Sequence, residues 1–294
     1  MSVRASVTLP TGRPRGRRSL FPRVLLGLTI AGVAALPVRS AGAQRGEQRD
    51  SSFTWSGSIP AGRSLVLRNV NGGIEVARST SGRVEVMAEK RWQRGDPAWV
   101  RVVQQRAGDD VIICALWGPD SSCDAQGMRG GKEQKSWTDR NDVSVRFVVR
   151  IPDGVRVDAN SVNGGVTVAD VGGAVRARSV NGSITVRTAG GPVDAESVNG
   201  SITVAMGSIG TASALRHETV NGSITLTMPN TLGARVDLET VNGRVESGFP
   251  ILITGTPDRR RLRGSIGNGT VSLQARSVNG SVTLQPATAV APAH

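Results

Sequence analysis

Apolar and polar positions alternate with period two along most of this chain. Around Pro192–Val204, Val193 and Ala195 alternate with Asp194 and Glu196 before an Asn-Gly pair, and Ile202 and Val204 alternate with Ser201 and Thr203 after it. Each arm therefore has one apolar and one polar face, as a half-buried β-strand does. The same arrangement occurs at 175–186 (Val175, Ala177, Ile184, Val186) and at 234–245 (Val236, Leu238, Val245). The stretch Ser179–Val186, SVNGSITV, returns unchanged as Ser197–Val204. Close copies begin at Ser161, Thr219, Thr240 and Ser277, and an outlying one at Asn69. The turns are Asn71-Gly72, Asn163-Gly164, Asn181-Gly182, Asn199-Gly200, Asn221-Gly222, Asn242-Gly243 and Asn279-Gly280.

From Asn163 to Asn242 the turn asparagines are spaced by 18, 18, 22 and 21 residues. A period near 20 residues is a signature of stacked repeats, none of which can bury its apolar face alone. At the bend, Asn tolerates the left-handed region and Gly enters positive φ without penalty. Two architectures use such a unit. In a β-solenoid, Asn-Gly is a corner, each repeat is a coil stacked parallel on the last at ~4.8 Å, and equivalent Asn side chains form a hydrogen-bonded ladder. In stacked hairpins or a β-sandwich, Asn-Gly is a type I′ turn between antiparallel strands. The near-identity of successive copies favours the solenoid, because only there do like residues stack on like. The predicted fold is all-β: a solenoid of repeats about 18–22 residues long over 151–285, preceded by a β-rich part over 53–150.

In that first part, strands are predicted at 53–60, on both sides of Asn71-Gly72, at 83–89, 100–105, 110–117 and 141–152, with a short helix over 97–106 as the competing assignment for one of them. Gly118–Asp142 lacks periodicity and reads as a long loop. Met206–Ser213 lengthens one repeat. Gly248–Gly264 is a larger insertion carrying Arg259–Arg263, which reads as a solvated loop. Pro286–His294 is an Ala/Pro-rich tail.

Composition sharpens this picture. Aromatics are 3% and Tyr is absent, so the core is built from Val, Ile, Leu and Ala. The net charge is +13, but residues 1–43 hold seven Arg and no acid, and without them it falls to +6, a weak signal for nucleic acid. Those residues have the order of a secretory signal: a basic region at Arg13–Arg23, an apolar run over Val24–Val38, and Ala41-Gly42-Ala43 before Gln44. The run is shorter than the roughly 20 residues of a membrane span. Arg17-Arg18 resembles a twin-arginine signal, although the general secretory reading is favoured. No Cys follows the run, which argues against a lipoprotein anchor. The expected product is exported, periplasmic or at the cell surface, with a leader over 44–52 and no integral span once the signal is removed. Its two cysteines, Cys114 and Cys123, are expected to pair in an oxidising compartment.

Little in the chain looks like chemistry. No catalytic, cofactor-binding or metal-ligating residue is singled out, and calcium-repeat spacings are absent. His217, flanked by Arg216 and Glu218, is expected on the exposed polar face. Carboxylates before the turns (Asp194, Glu196, Glu218, Asp237, Glu239) line up on stacked coils with Arg176, Arg178 and Arg216, either as a charge-compensated face or as a polysaccharide groove. Of the five Trp, Trp137 in the loop is placed to stack on a sugar, while Trp55, Trp92, Trp99 and Trp117 are expected to pack.

The exported N-terminus, the strand VIICALW ahead of a Cys-containing loop, VSVRFVVRIPDGVRV leading into SVNGGVTV, and GSIGNGTVSLQARSVNGSVTL at the end together resemble bacterial adhesin-like proteins of unknown function built from β-strand repeats (the head-GIN and autotransporter-adhesin type), over roughly residues 50–285. The resemblance implies a β-helix-like solenoid in the cell envelope. Envelope glycans or other envelope proteins are the expected partners, and the modest charge outside residues 1–43 argues against nucleic acid. The 248–264 insertion departs from the pattern. Three functions follow as expectations: a non-enzymatic binding or scaffold surface, a polysaccharide-acting enzyme, or an envelope-stress sensing component, the first being preferred.

Overall fold

The structure, a computed structural model, describes residues 51–130, 141–256 and 258–287. The expected signal peptide, nearly all of the 44–52 leader, Trp137 and most of the 286–294 tail lie outside the described residues.

The chain opens with β1 (Ser52–Gly57), β2 (Ser64–Asn71), β3 (Ile74–Arg78) and β4 (Val84–Arg91). One 3₁₀ turn, Pro97–Trp99, is capped by Asp96, whose carboxylate accepts from the Ala98 N–H. It leads into β5 (Val100–Ala107), so the helical alternative fails beyond residue 99, and then into β6 (Asp110–Trp117). The next loop carries a small hairpin, β7 (Ser122–Cys123) and β8 (Met128–Arg129), before β9 (Ser144–Ile151). The repeats give β10 (Arg156–Asn163), β11 (Val166–Val171), β12 (Val175–Asn181), β13 (Ile184–Thr188), β14 (Val193–Asn199), β15 (Ile202–Met206), β16 (Ala214–Asn221), β17 (Ile224–Met228), β18 (Ala234–Asn242) and β19 (Val245–Ser247). The end of the chain supplies β20 (Leu252–Ile253), β21 (Arg261–Ile266), β22 (Val271–Asn279) and β23 (Val282–Pro286).

Two long sheets face each other, and each coil contributes one strand to both. One sheet runs β20-β21-β18-β22-β16-β14-β12-β10-β2-β6-β5, the other β1-β4-β9-β3-β11-β13-β15-β17-β23-β19. Neighbouring coils pair in parallel with like on like: Ala177 beside Ala195 and Ser179 beside Ser197 in the first sheet, Ile184 beside Ile202 and Val186 beside Val204 in the second. At Asn199-Gly200 the two flanking strands belong to different sheets, so the turn is a solenoid corner and the hairpin architecture does not occur. The core between the sheets is narrow because one of its inner rows is Ala159, Ala177, Ala195 and Ala275. Opposite it stand Ile184, Ile202, Ile224 and their Val and Leu neighbours, fully buried and each stabilising by about 1.5–3 kcal/mol.

Two expectations are corrected here. Stacking order does not follow chain order at the end, because the Asn279 coil (β22–β23) lies between the Asn221 and Asn242 coils. The 248–264 insertion is the cause. It is not only a loop: β21 pairs antiparallel with the outer edge of β18, and the chain then returns to fill the gap beside β16. An open strand edge invites further pairing, and in the first sheet β21 covers that of β18, while the second sheet ends on β19. At the other end β1, β4 and β5 pair antiparallel, and β2–β3 stacks directly on β10–β11, so residues 53–150 and 151–285 share one core.

The second correction concerns the turn glycines. Among them φ is positive only at Gly72 (110°) and Gly280 (155°). At Gly200 the requirement is space: a Cβ there would lie 2.1 Å from the carbonyl oxygen of Gly182 in the next coil. Gly164, Gly182, Gly222, Gly280 and Gly243 meet their neighbours in the same way, at 2.1–2.4 Å. Close backbone stacking, more than a left-handed bend, selects glycine.

Candidate binding surface

Three ladders fix the corner of the solenoid. Asn181 donates from Nδ2 to Oδ1 of Asn163, Asn199 to Asn181, Asn221 to Asn199, Asn279 to Asn221 and Asn242 to Asn279, all at 2.7–2.8 Å. Asn71 stands apart and donates to the Val143 carbonyl. Two positions before each Asn of this ladder, a buried hydroxyl donates to a turn carbonyl of the neighbouring coil: Ser161 to Gly72, Ser179 to Gly164, Ser197 to Gly182, Thr219 to Gly200, Ser277 to Gly222 and Thr240 to Gly280. In the third, the N–H of Ser201, Ser223 and Ser281 donates to Oγ of the preceding coil's serine. The Ser/Thr ladder went unnoticed in the sequence, though its signal was there: position 1 of every SVNG or TVNG copy is a hydroxyl.

These corners hold the outward side of the first sheet rigid, and it is here that the recurrent carboxylates and arginines come together. They neutralise one another. Arg176 faces Asp194 at 3.6 Å, Arg178 Glu196 at 3.1 Å and Arg216 Glu218 at 2.8 Å. Asp237 accepts from Arg263 at 2.9 Å and from Arg276 at 3.4 Å, and Arg261 lies 3.7 Å from Glu239. Arg261 and Arg263 therefore sit on a strand, not in a solvated loop, and the carbonyls of Arg259 and Arg260 accept from Val245 and Thr240. Beside the charged rows runs an uncovered apolar stripe, Val180, Val198, Val220, Val278 and Val241, each 39–53% exposed. Stripe and charges line a shallow groove of about 820 Å³ that crosses the coils from Asn160 to Val241.

Within this face Asp194 is unlike its neighbours. Burial, and then the charge of Glu196, raise its carboxyl above the usual range, and its Oδ1 has no hydrogen-bond partner among the described residues. Arg216 is held charged by its bond to Glu218.

One end of the face is closed by the loop after β6. Cys114 and Cys123 are joined in a disulfide that draws the loop over β2 and β6. Beneath it Val66, Ile112, Leu116 and the two cysteines form a second, small apolar cluster. Arg68 is buried there, bonded to Asp158 at 2.8 Å and to the Ala125 carbonyl at 2.7 Å. Trp117 is buried, Trp55 packs against the core, and Trp92 is partly exposed.

His217 is not on the polar face. It is fully buried in the core, in the row of Ala195 and Ala275, and neither ring nitrogen has a hydrogen-bond partner among the described residues. Burial pushes its pKa down to about 3, so the ring is neutral. Counting in twos from Leu215 gives this phase; the charged neighbours Arg216 and Glu218 hid it. Among the described residues no group of three or more His, Cys, Asp and Glu is arranged to hold a metal ion, and no helix is long and apolar enough to cross a membrane.

Parallel coils, corner ladders and a two-sheet core define a β-solenoid repeat protein. The chain belongs to the Toastrack DUF4097 family, which matches residues 130–285. The match starts in the loop before β9, although β2 and β3 ahead of it continue the same sheets. Among solved structures, a "putative cell adhesion protein" from Clostridium sporogenes is 8% identical, with TM-score 0.40 over 80% of this chain and 100% of that one. A "putative adhesin" from Bacteroides fragilis is 12% identical, with TM-score 0.32 over 81% and 98%. No curated protein matches the chain.

Proposed function

We propose that this protein is an exported, non-enzymatic component of the cell envelope whose solenoid serves as an adhesin-like binding or scaffold surface. The observation that carries the reading is the outward face of the first sheet: side chains locked at strand spacing, charges neutralised in pairs, and an uncovered valine stripe. Such a face suits extended envelope glycans or other envelope proteins. It suits nucleic acid poorly, because paired charges release few counterions on binding a polyanion. Export is supported by the disulfide, since such bonds persist in oxidising compartments. The test is to purify the exported chain and screen it for glycan binding, for capture of envelope proteins, and for depolymerisation. Reproducible bond cleavage would overturn the reading.

Asp194 favours a second reading. A half-buried carboxyl with a raised pKa and an unpaired oxygen, beside Glu196, is a general-acid candidate for polysaccharide cleavage. Cleavage lost in Asp194→Asn would select it.

A further inference from the structure

We propose that the outward face of the first sheet is a self-association surface, on which two copies pack face to face about a two-fold axis running along β16. The proposal deepens the scaffold reading and rests on it. The free face runs from the disulfide-bracketed loop, which roofs β2, to the two-residue edge strand β20; between them lie β10, β12, β14, β16, β22, β18 and β21, with β16 in the middle. Registers across these strands are unbroken on the outward side, so opposing charges can be read off directly.

Turning a copy about an axis along β16 reverses the strand order and keeps each row over itself. Asp158 then meets Arg263 of the second copy, Arg176 meets Asp237, Arg178 meets Glu239 and Glu196 meets Arg276. Asp194 falls opposite the neutral Gln274, and Asn160 opposite Arg261. No off-axis pair is of like sign. Only Arg216 and Glu218, on the axis itself, meet their own kind, and those two already bridge each other at 2.8 Å. The valine stripe meets itself, with Val220 on the axis and Val180 over Val241.

The other face-to-face arrangement, with the axis along the solenoid between the two charged rows, fails on the same registers. It sets Arg176 over Arg178, Asp194 over Glu196, Asp237 over Glu239 and Arg263 over Arg261. Like charges opposed in this way are destabilising. The pattern thus selects one orientation of a second copy of this chain.

Seven strands at ~4.8 Å and three outward rows at ~6.7 Å give a face of roughly 600–700 Å² per copy, the lower end of specific interfaces. The association is therefore concentration-dependent, and its ion pairs weaken with salt.

Light scattering and sedimentation on the purified exported chain are expected to show a monomer–dimer equilibrium. Glu196→Arg opposes Arg276 with another arginine at two symmetric places and should weaken association about tenfold or more; thermal unfolding checks that the variant is folded. A short bismaleimide tests the orientation, since stacked sheets lie ~10 Å apart. Val220→Cys should cross-link to itself, Val180→Cys alone should not, and Val180→Cys mixed with Val241→Cys should. A chain monomeric at all concentrations, or cross-linking through Val180→Cys alone as readily as through Val220→Cys, would overturn the proposal. A monomer that still captures a glycan or an envelope protein would overturn self-association and leave the scaffold reading standing, whereas depolymerising activity would strike at the latter alone.

Discussion

Replacing Gly200 by Ala separates the two reasons a turn can demand glycine. Gly200 does not have a positive φ, so Ala carries no left-handed penalty there. Its Cβ would instead stand 2.1 Å from the Gly182 oxygen and 2.5 Å from the Gly182 carbon, both backbone atoms of the adjacent coil. Relief requires the two coils to part by about 1 Å at the corner, far outside the normal strand spacing of ~4.8 Å. Three hydrogen bonds cross that junction: Ser197 to the Gly182 carbonyl at 3.0 Å, Asn199 to Asn181 at 2.8 Å, and the Ile184 N–H to the Ser201 carbonyl at 2.9 Å. At about 1 kcal/mol each, their loss costs about 3 kcal/mol. In a chain of this size that is a fall of about 6–12 °C in Tm. Gly62→Ala is the control: φ is +81° and nothing lies within 4 Å, so only the left-handed penalty of about 1–2 kcal/mol applies. Urea and thermal unfolding followed by circular dichroism measure both, and amide exchange at Ile184 localises the damage. If Gly200→Ala proves no worse than Gly62→Ala, stacking does not select these glycines.

Other residues give sharper single outcomes. His217 is neutral when folded, with its pKa pushed to about 3 from 6.5, so below about pH 6.5 the unfolded chain gains a proton the folded one refuses, and stability falls with pH down to about 3. In denaturant titrations His217→Leu should flatten that fall, its advantage over the parent growing by about 2–3 kcal/mol between pH 7.5 and 4.5; a constant difference would refute the assignment. Reducing Cys114–Cys123, or replacing both by Ser, should cost about 2–3 kcal/mol for a loop of this length and expose Arg68, read as a Tm shift with and without reductant. Thr219→Val keeps the shape but removes the donor to the Gly200 carbonyl, and unfolding should show a loss of about 1–2 kcal/mol.

Much of the architecture was legible because solenoid stacking repeats its requirements. Alternation gave the inward and outward faces, the Asn row gave the ladder, and near-identity gave parallel pairing. Three things were hidden for physical reasons. Stacking order is a property of edges, and SVNG copies are interchangeable in register, so nothing local marks the Asn279 coil as an insertion between Asn221 and Asn242. The role of glycine was misassigned because a lone Asn-Gly pair reads as a bend, whereas the clash with the next coil exists only after stacking. His217 lies inside because strand phase, set by Leu215, outweighs its polar type and its charged neighbours. As for the candidate surface, the carboxylate and arginine rows could be foreseen, but the partner of each charge depended on that same coil order: Asp237 and Glu239 meet Arg276 because β22 lies beside β18.

The out-of-order coil also bears on how the end of the molecule is held together. In the first sheet β18 touches β16 nowhere in the strand order; β22 separates them, as β23 separates β19 from β17 in the second. The Asn242 coil therefore has no ladder until the last strands arrive, and its Asn and Thr side chains donate to Asn279 and Gly280, not to the coil that precedes them in the chain. The other end has the same logic: β9, late in its part of the chain, separates β4 from β3 and pairs with both. A coil closed by a later segment cannot peel away one repeat at a time, as an ordinary solenoid terminus can. Both ends of the described solenoid are thereby tied through contacts distant in sequence, which costs folding speed.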